Sequence, residues 1–163
     1  MKKLGILLLS VVAIILLISC GAKKSDSESS LVSESVSNVN YGSGKEISFT
    51  FEANSTTGFD WQYEFKDGDA ELVFEREDIK PNENGDIVGG NMQRTYFFRA
   101  NKSGKTKLVF TYKRPWEGGE VEYDVVYDLS VDDNLIISCY DKKKGVVETD
   151  KELDFFPNPV FIN

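Results

Sequence analysis

Residues 121–131 read VEYDVVYDLSV, and this stretch decides the fold class of the chain. Valine, tyrosine and leucine occupy every second position from Val121 to Val131, and acidic or polar residues occupy most of the positions between them. A period of two places the apolar side chains on one face of an extended strand, whereas an amphipathic helix repeats about every 3.6 residues. The stretch therefore predicts a long β-strand with one buried face.

Similar stretches occur on the N-terminal side of this strand. They are residues 47–51, 61–65, 72–74, 96–100 and 108–112, and segments rich in glycine, asparagine or aspartate separate them at 66–69, 83–85, 101–104 and 117–119. Such segments favour turns. Short strands at this spacing, with no helical periodicity between them, predict an all-β chain that forms an immunoglobulin-like two-sheet β-sandwich.

The N-terminal region has a different composition. Lys2 and Lys3 precede an apolar run at residues 4–18, a pattern typical of a secretory signal. The run ends before Cys20 in a sequence that resembles the lipobox of bacterial lipoproteins, which implies cleavage before Cys20 and lipidation of its thiol. The region that follows is rich in serine and charged residues, which predicts a flexible tether. We expect a signal peptide at 1–19, the lipidated cysteine and tether at 20–40, a folded domain at 41–133 and a C-terminal extension of unassigned role at 134–163.

Composition excludes several classes of function. The chain has no histidine, so it cannot build a catalytic site that uses an imidazole base, and its two cysteines cannot form a four-cysteine zinc site. The net charge of −8 disfavours nucleic acid as a partner. We expect no enzyme activity, no catalytic residue, no metal and no cofactor. A hydrolase that uses Asp124 and Asp128 is the weaker alternative, because these residues share a strand face that we expect to point at solvent.

Cys139 and the C-terminal region are less informative. Cys139 lies in an apolar stretch, which favours a small buried side chain over a redox role. Residues 135–140 and 146–149 predict a hairpin around 142–145. The prolines within 155–159 exclude regular structure there.

Three loops between the predicted strands contain residues that a strand does not require. We name them the first loop (54–59), the second loop (84–91) and the third loop (114–119). Gly58 permits a backbone conformation that other residues avoid. The candidate binding residues are Asn54, Ser55, Thr56, Thr57, Gly58, Phe59, Gly89, Gly90, Asn91, Arg114, Pro115 and Trp116.

In this order the motifs N-x-T-T-G-F-x-W, G-G and R-P-W-E resemble the chagasin family of cysteine-protease inhibitors across about residues 42–133. The resemblance implies a reversible, non-covalent inhibitor of papain-like cysteine proteases that occludes the catalytic cleft with three loops. It places Thr56, Thr57 and Gly58 in the cleft, the second loop along one side and Trp116 on the other. Ser55 departs from the family's usual proline, and this departure is expected to reduce the stiffness of the first loop.

Several assignments have alternatives. Trp61 alternates with other aromatic residues, which favours the core, whereas Trp116 follows a proline in a glycine-rich loop, which favours a contact with a partner. Arg114 is either a contact at the rim or a solvated charge, and Asn91 either caps its loop or touches the protease. The alternative function is a surface-anchored immunoglobulin-like binding module for another protein or a glycan. We expect a monomer, lipid-anchored to the cell membrane through Cys20 and facing the extracytoplasmic side.

Overall fold

Within residues 39–81, 90–116 and 118–163, which this computed structural model describes, the chain forms nine β-strands in two antiparallel sheets. The strands are β1 (Ser43–Gly44), β2 (Glu46–Ala53), β3 (Asp60–Lys66), β4 (Glu71–Pro81), β5 (Met92–Lys102), β6 (Gly104–Lys113), β7 (Val121–Val131), β8 (Ile137–Lys144) and β9 (Val160–Ile162). One sheet has the order β1-β8-β7-β6-β3 and the other has the order β4-β5-β2-β9. This architecture confirms the all-β, immunoglobulin-like two-sheet β-sandwich.

The inner faces of the two sheets meet in an aromatic core. Ile47, Phe49 and Phe51, which alternate along β2, are at most 2% exposed. The ring centroid of Phe49 lies 5.2 Å from that of Phe110 and 4.5 Å from that of Tyr127, both on the facing sheet. Period-two patterning therefore produced the buried faces that the sequence predicts.

The C-terminal region is part of the sandwich. β8 pairs with β7, and β9 pairs with residues Glu46–Ser48 of β2, so this region adds a strand to each sheet. Between these strands Phe156 is 1% exposed and packs in the core. The predicted hairpin is wrong, because residues 137–144 pair with β7 rather than with residues 146–149.

Asp124 and Asp128 are buried, at 5% and 6% exposure, so their expected exposure to solvent is wrong. The chain after β8 turns across the Asp124 carboxylate, which accepts hydrogen bonds from the amides of Val146 (2.8 Å) and Val147 (2.9 Å). Asp128 forms an ion pair with Lys143 of β8. Both carboxylates hold β8 and the following turn against β7.

Cys139 is a free cysteine that is fully buried, which confirms the sequence interpretation. Burial raises the pKa of its thiol to about 12. The thiolate is the reactive form, so this thiol is unreactive near neutral pH.

The predicted signal peptide, Cys20 and the tether lie outside the described residues. Among the residues that are described, no helix has the length and apolar character needed to cross a membrane.

Candidate functional site: three loops at one end of the sandwich

Strand register brings the first loop, the third loop and the described end of the second loop, Gly90 and Asn91, to the same end of the sandwich, which we call the loop end. Ala53 at the end of β2 pairs with Met92 at the start of β5, next to the second loop. Asp60 at the start of β3 pairs with Lys113 at the end of β6, which in turn pairs with Val121 at the start of β7. The first loop connects β2 to β3 and the third connects β6 to β7, so both emerge beside the second loop.

The first loop is ordered by the side chain of Asn54. Its Oδ1 accepts hydrogen bonds from the amide (3.1 Å) and the hydroxyl of Thr56. The Asn54 carbonyl accepts two more, from the amide (3.1 Å) and the hydroxyl (2.8 Å) of Thr57. These bonds close the short 3-10 turn Ser55–Thr57, and asparagine is well suited to bonding its own following backbone in this way.

Gly58 provides the turn that returns the first loop to β3. Its φ of +75° lies in the left-handed region, which glycine adopts at no steric cost. A β-carbon at this position would lie 3.0 Å from Nη1 of Arg114 and 3.9 Å from the Trp116 ring. The glycine therefore also permits close approach of the first and third loops.

A side-chain hydrogen bond joins the first and second loops. Nδ2 of Asn54 donates to Oδ1 of Asn91 at 2.9 Å. This bond gives Asn91 a structural role between the two loops. Asn91 is also exposed, and its contact with the protease stays a prediction. Gly90 is exposed beside it, whereas Gly89 lies outside the described residues.

Arg114 joins the first and third loops. Nη1 of Arg114 donates to the Thr57 carbonyl at 3.3 Å, and the guanidinium carbon lies 4.5 Å from the Phe59 ring centroid and 5.3 Å from that of Trp116. Nε lies 3.7 Å from a carboxylate oxygen of Glu120. Stacked on two rings and bonded to a carbonyl, Arg114 is a cross-link between loops rather than a solvated charge.

Trp116 lies at the tip of the third loop and is 56% exposed. The loop is closed by backbone hydrogen bonds from Gly119 to Trp116 (2.9 Å) and from Arg114 to Glu120 (3.0 Å). A large exposed indole on an internally bonded loop is typical of a binding residue, because little backbone freedom of the loop remains to be lost.

Two supports of the loop end are not evident from the sequence. Tyr112 of β6 stacks on Phe59 with ring centroids 5.4 Å apart, and its hydroxyl lies 3.4 Å from the Thr57 hydroxyl. Arg94 of β5 forms ion pairs with Asp60 of β3 and Glu77 of β4, which links the two sheets behind the loops. In the sequence, Tyr112 is indistinguishable from a core aromatic residue. Arg94 lies three residues after Asn91 at the start of a strand, and this position could have indicated a charged residue that supports the loops.

A shallow pocket of about 220 Å³ lies between the first and third loops, lined by residues that include Gly58, Phe59, Arg94 and Pro115. The described residues contain no cluster of three or more carboxylate or cysteine side chains able to hold a metal ion. The loop end therefore presents backbone, two threonines and an indole, which suits contact with a protein surface.

The sequence model of the chagasin family peptidase inhibitor I42 matches residues 40–131. The chain therefore belongs to the chagasin family of peptidase inhibitors, which are not enzymes. A cysteine protease inhibitor from Entamoeba histolytica has a similar crystal structure, with 26% sequence identity, a TM-score of 0.45, and coverage of 55% of this chain and 80% of that one. No curated protein matches the chain significantly.

Proposed function

We propose that this protein is a reversible, non-covalent inhibitor of papain-like cysteine proteases, and that the three loops occlude the catalytic cleft. The observation that carries the proposal is the cross-linking of the loops. Asn54 joins the first loop to the second, and Arg114 joins the first to the third. Because the first loop, the third loop and Asn91 are held in one arrangement before binding, they lose little conformational entropy on entering a cleft.

Two carbonyl groups of the first loop, those of Asn54 and Thr57, are already hydrogen-bonded within the loop end. A papain-like protease attacks a substrate carbonyl with a thiolate held beside an imidazolium. The Asn54 carbonyl accepts hydrogen bonds from the amide and the hydroxyl of Thr57. The Thr57 carbonyl accepts one from the guanidinium of Arg114. Attack needs a carbonyl at close distance along an aligned trajectory, and internal bonding holds these two away from it. We therefore expect cleavage after Asn54 or Thr57 to be disfavoured when the loop fills the cleft.

The second and third loops would contact the two sides of the cleft. Gly90 and Asn91 offer main-chain groups for strand-like hydrogen bonds. Trp116 would lie on an apolar surface of the protease and act as the main anchor. Of the remaining candidate residues, Ser55 and Pro115 would contact the protease beside Thr56 and Trp116, and Gly89 would extend the main-chain contact.

The test is a titration of papain with the full chain. We expect stoichiometric loss of activity, recovery of activity after dilution and recovery of intact inhibitor. Papain whose catalytic thiol has been methylated should still bind in calorimetry, because no bond to sulfur is required. A slow, irreversible loss of activity or a cleaved inhibitor would overturn the mechanism. Binding to a glycan or another protein, with no effect on papain, would favour the binding-module alternative.

We also propose that a lipid on Cys20 anchors the protein, as a monomer, to the extracytoplasmic side of the cell membrane. The lipobox-like junction supports this, and several acyl chains would give stable attachment. Cys20→Ala should move the protein from the membrane fraction to the soluble fraction and leave papain inhibition unchanged. Recovery of that variant with acyl chains in the membrane fraction would refute the proposal.

A further inference from the structure

The C-terminal region brings an exposed aromatic side chain to the loop end. This region follows the residues matched by the family model, which end at residue 131. After β8 the chain crosses from one sheet to the other, and the short 3-10 turn Leu153–Phe155 lies on this path. Phe155 is 50% exposed, whereas its neighbour Phe156 is 1% exposed. Adjacent phenylalanines thus face the solvent and the core.

Phe155 is continuous with the aromatic residues beneath the first loop. Its ring centroid lies 5.4 Å from that of Tyr123, which stacks on Tyr112 at 5.8 Å and 7°. Tyr112 in turn stacks on Phe59 of the first loop at 5.4 Å. Phe155 is therefore the outer member of a row of four rings that starts inside the first loop.

A shallow pocket of about 170 Å³ separates Phe155 from the loops, and its lining includes Asn54 and Asn91 as well as Tyr123. Asn54 and Asn91 are the two residues that join the first and second loops. A protein surface that covers these loops would reach this pocket and the Phe155 ring beyond it. The Nζ of Lys151 lies 4.9 Å from the Phe155 ring centroid and 5.8 Å from that of Tyr123.

Buried hydrogen bonds fix the backbone on which Phe155 lies. Nζ of Lys142 donates to the Phe156 carbonyl (3.0 Å) and to Oδ1 of Asn158 (2.7 Å), and the Tyr127 hydroxyl donates to the Pro157 carbonyl (2.7 Å). Lys142 is 5% exposed, and burial lowers the pKa of its amine. These bonds hold the backbone next to Phe155, and the ring itself packs on Tyr123, so part of the entropic cost of using it is met before any partner binds.

We infer that Phe155 is a fourth contact with the protease, in which its ring and the adjoining pocket accept an apolar side chain from the surface beside the catalytic cleft. The inference rests on the proposed function, because it assumes that the loops enter that cleft. It assigns the C-terminal region a role in affinity and in selection among papain-like proteases. An exposed aromatic that is rigidly held and adjacent to the main contact is the kind of residue that strengthens an interface.

The experiment compares variants of the full chain in papain inhibition, dissociation rate and thermal denaturation. Phe155→Ala should raise the inhibition constant by about 5- to 30-fold, mostly through faster dissociation. Its denaturation midpoint should change little, because half of the ring is already exposed. Phe155→Leu keeps an apolar side chain, and its inhibition constant should stay within about 3-fold of that of the unmodified chain.

The matched control is Val160→Ala. Val160 is a 59% exposed residue of the same region that pairs with Ser48, far from the first loop along β2, and it should leave inhibition unchanged.

The outcomes separate this inference from the proposed function. If Trp116→Ala weakens inhibition and Phe155→Ala does not, the loops bind the protease and the fourth contact is wrong. If Phe155→Ala weakens inhibition only in step with a lowered denaturation midpoint, the ring acts by packing on Tyr123, and direct contact is overturned. If the unmodified chain does not inhibit papain, the proposed function and this inference both fail.

Discussion

The start of β3 and the tip of the third loop each contain one of the two tryptophans of the chain, in opposite environments. Trp61 is 5% exposed, its indole nitrogen donates to the Glu52 carbonyl at 2.8 Å, and its ring lies 4.2 Å from that of Phe51. Trp116 is 56% exposed beside the guanidinium of Arg114. The same side chain therefore stabilises the fold at one position and is available to a partner at the other.

The difference shows how the loop end is built. Trp61 lies in the core beneath the first loop, and its contacts with Glu52 and Phe51 form together with the two sheets. Trp116 buries about half of its surface, so a partner that covers the rest would gain apolar burial that the fold has not already used. Stability and inhibition should thus respond to different substitutions.

Trp61→Ala should have the largest effect, which is a loss of folding stability. Removing a buried aromatic side chain costs about 3–5 kcal/mol, and the Glu52 carbonyl would lose its donor. The measurement is the free energy of unfolding in urea. A loss below about 1 kcal/mol, which is typical of an exposed position, would show that Trp61 is not a core residue.

Trp116→Ala should have the next largest effect, which is a loss of protease inhibition. Truncating an exposed aromatic anchor costs about 2–4 kcal/mol of binding, or roughly 30- to 900-fold in the inhibition constant. Stability should change by only about 0.5 kcal/mol. Papain inhibition and thermal denaturation of the same preparation check both values. The three-loop mechanism would be overturned if Trp116→Ala, Thr56→Ala and Thr57→Ala all left the inhibition constant unchanged.

Thr57→Ala should have an intermediate effect on inhibition. The Thr57 hydroxyl donates to the Asn54 carbonyl at 2.8 Å and closes the first loop. Its loss should cost about 1–2 kcal/mol of binding, or about 5- to 30-fold in the inhibition constant.

The matched control for Thr57→Ala is Thr106→Ala. The Thr106 hydroxyl also donates to a backbone carbonyl, that of Lys66 at 3.3 Å, but at the opposite end of the sandwich. The control should lower stability and leave papain inhibition unchanged. Equal losses of inhibition from both variants would show that general stability, rather than the shape of the first loop, controls inhibition.

Alkylation of accessible thiols should have no effect on inhibition. Cys139 is fully buried, and burial raises the pKa of its thiol to about 12, so very little thiolate is present at pH 8. Mass spectrometry after iodoacetamide treatment should find Cys139 unmodified in the native protein and modified after denaturation. A loss of inhibition together with labelled Cys139 would contradict both its burial and the thiol-independent mechanism.

Much of the sandwich was predictable because strand patterning is local. A period of two along β2 and β7 shows which side chains share a face, and burial of that face follows directly. The loop motifs were also readable, since turn chemistry depends on a few adjacent residues such as Asn54 and Gly58. The exposed Trp116 was predictable for the same reason, because it follows proline in a glycine-rich loop.

The errors fall where contacts are long-range. The burial of Asp124 depends on the turn after β8, and β8 pairs with β7, which precedes it in the chain, rather than with residues 146–149. The contacts of Asn91 with Asn54 and of Arg114 with Thr57 form only once the strand register brings these residues together, and a contact of either residue with the protease stays a prediction. Local sequence carries the propensity of each strand and turn, but a hydrogen bond between residues tens of positions apart exists only once the sheets have brought its two groups into range.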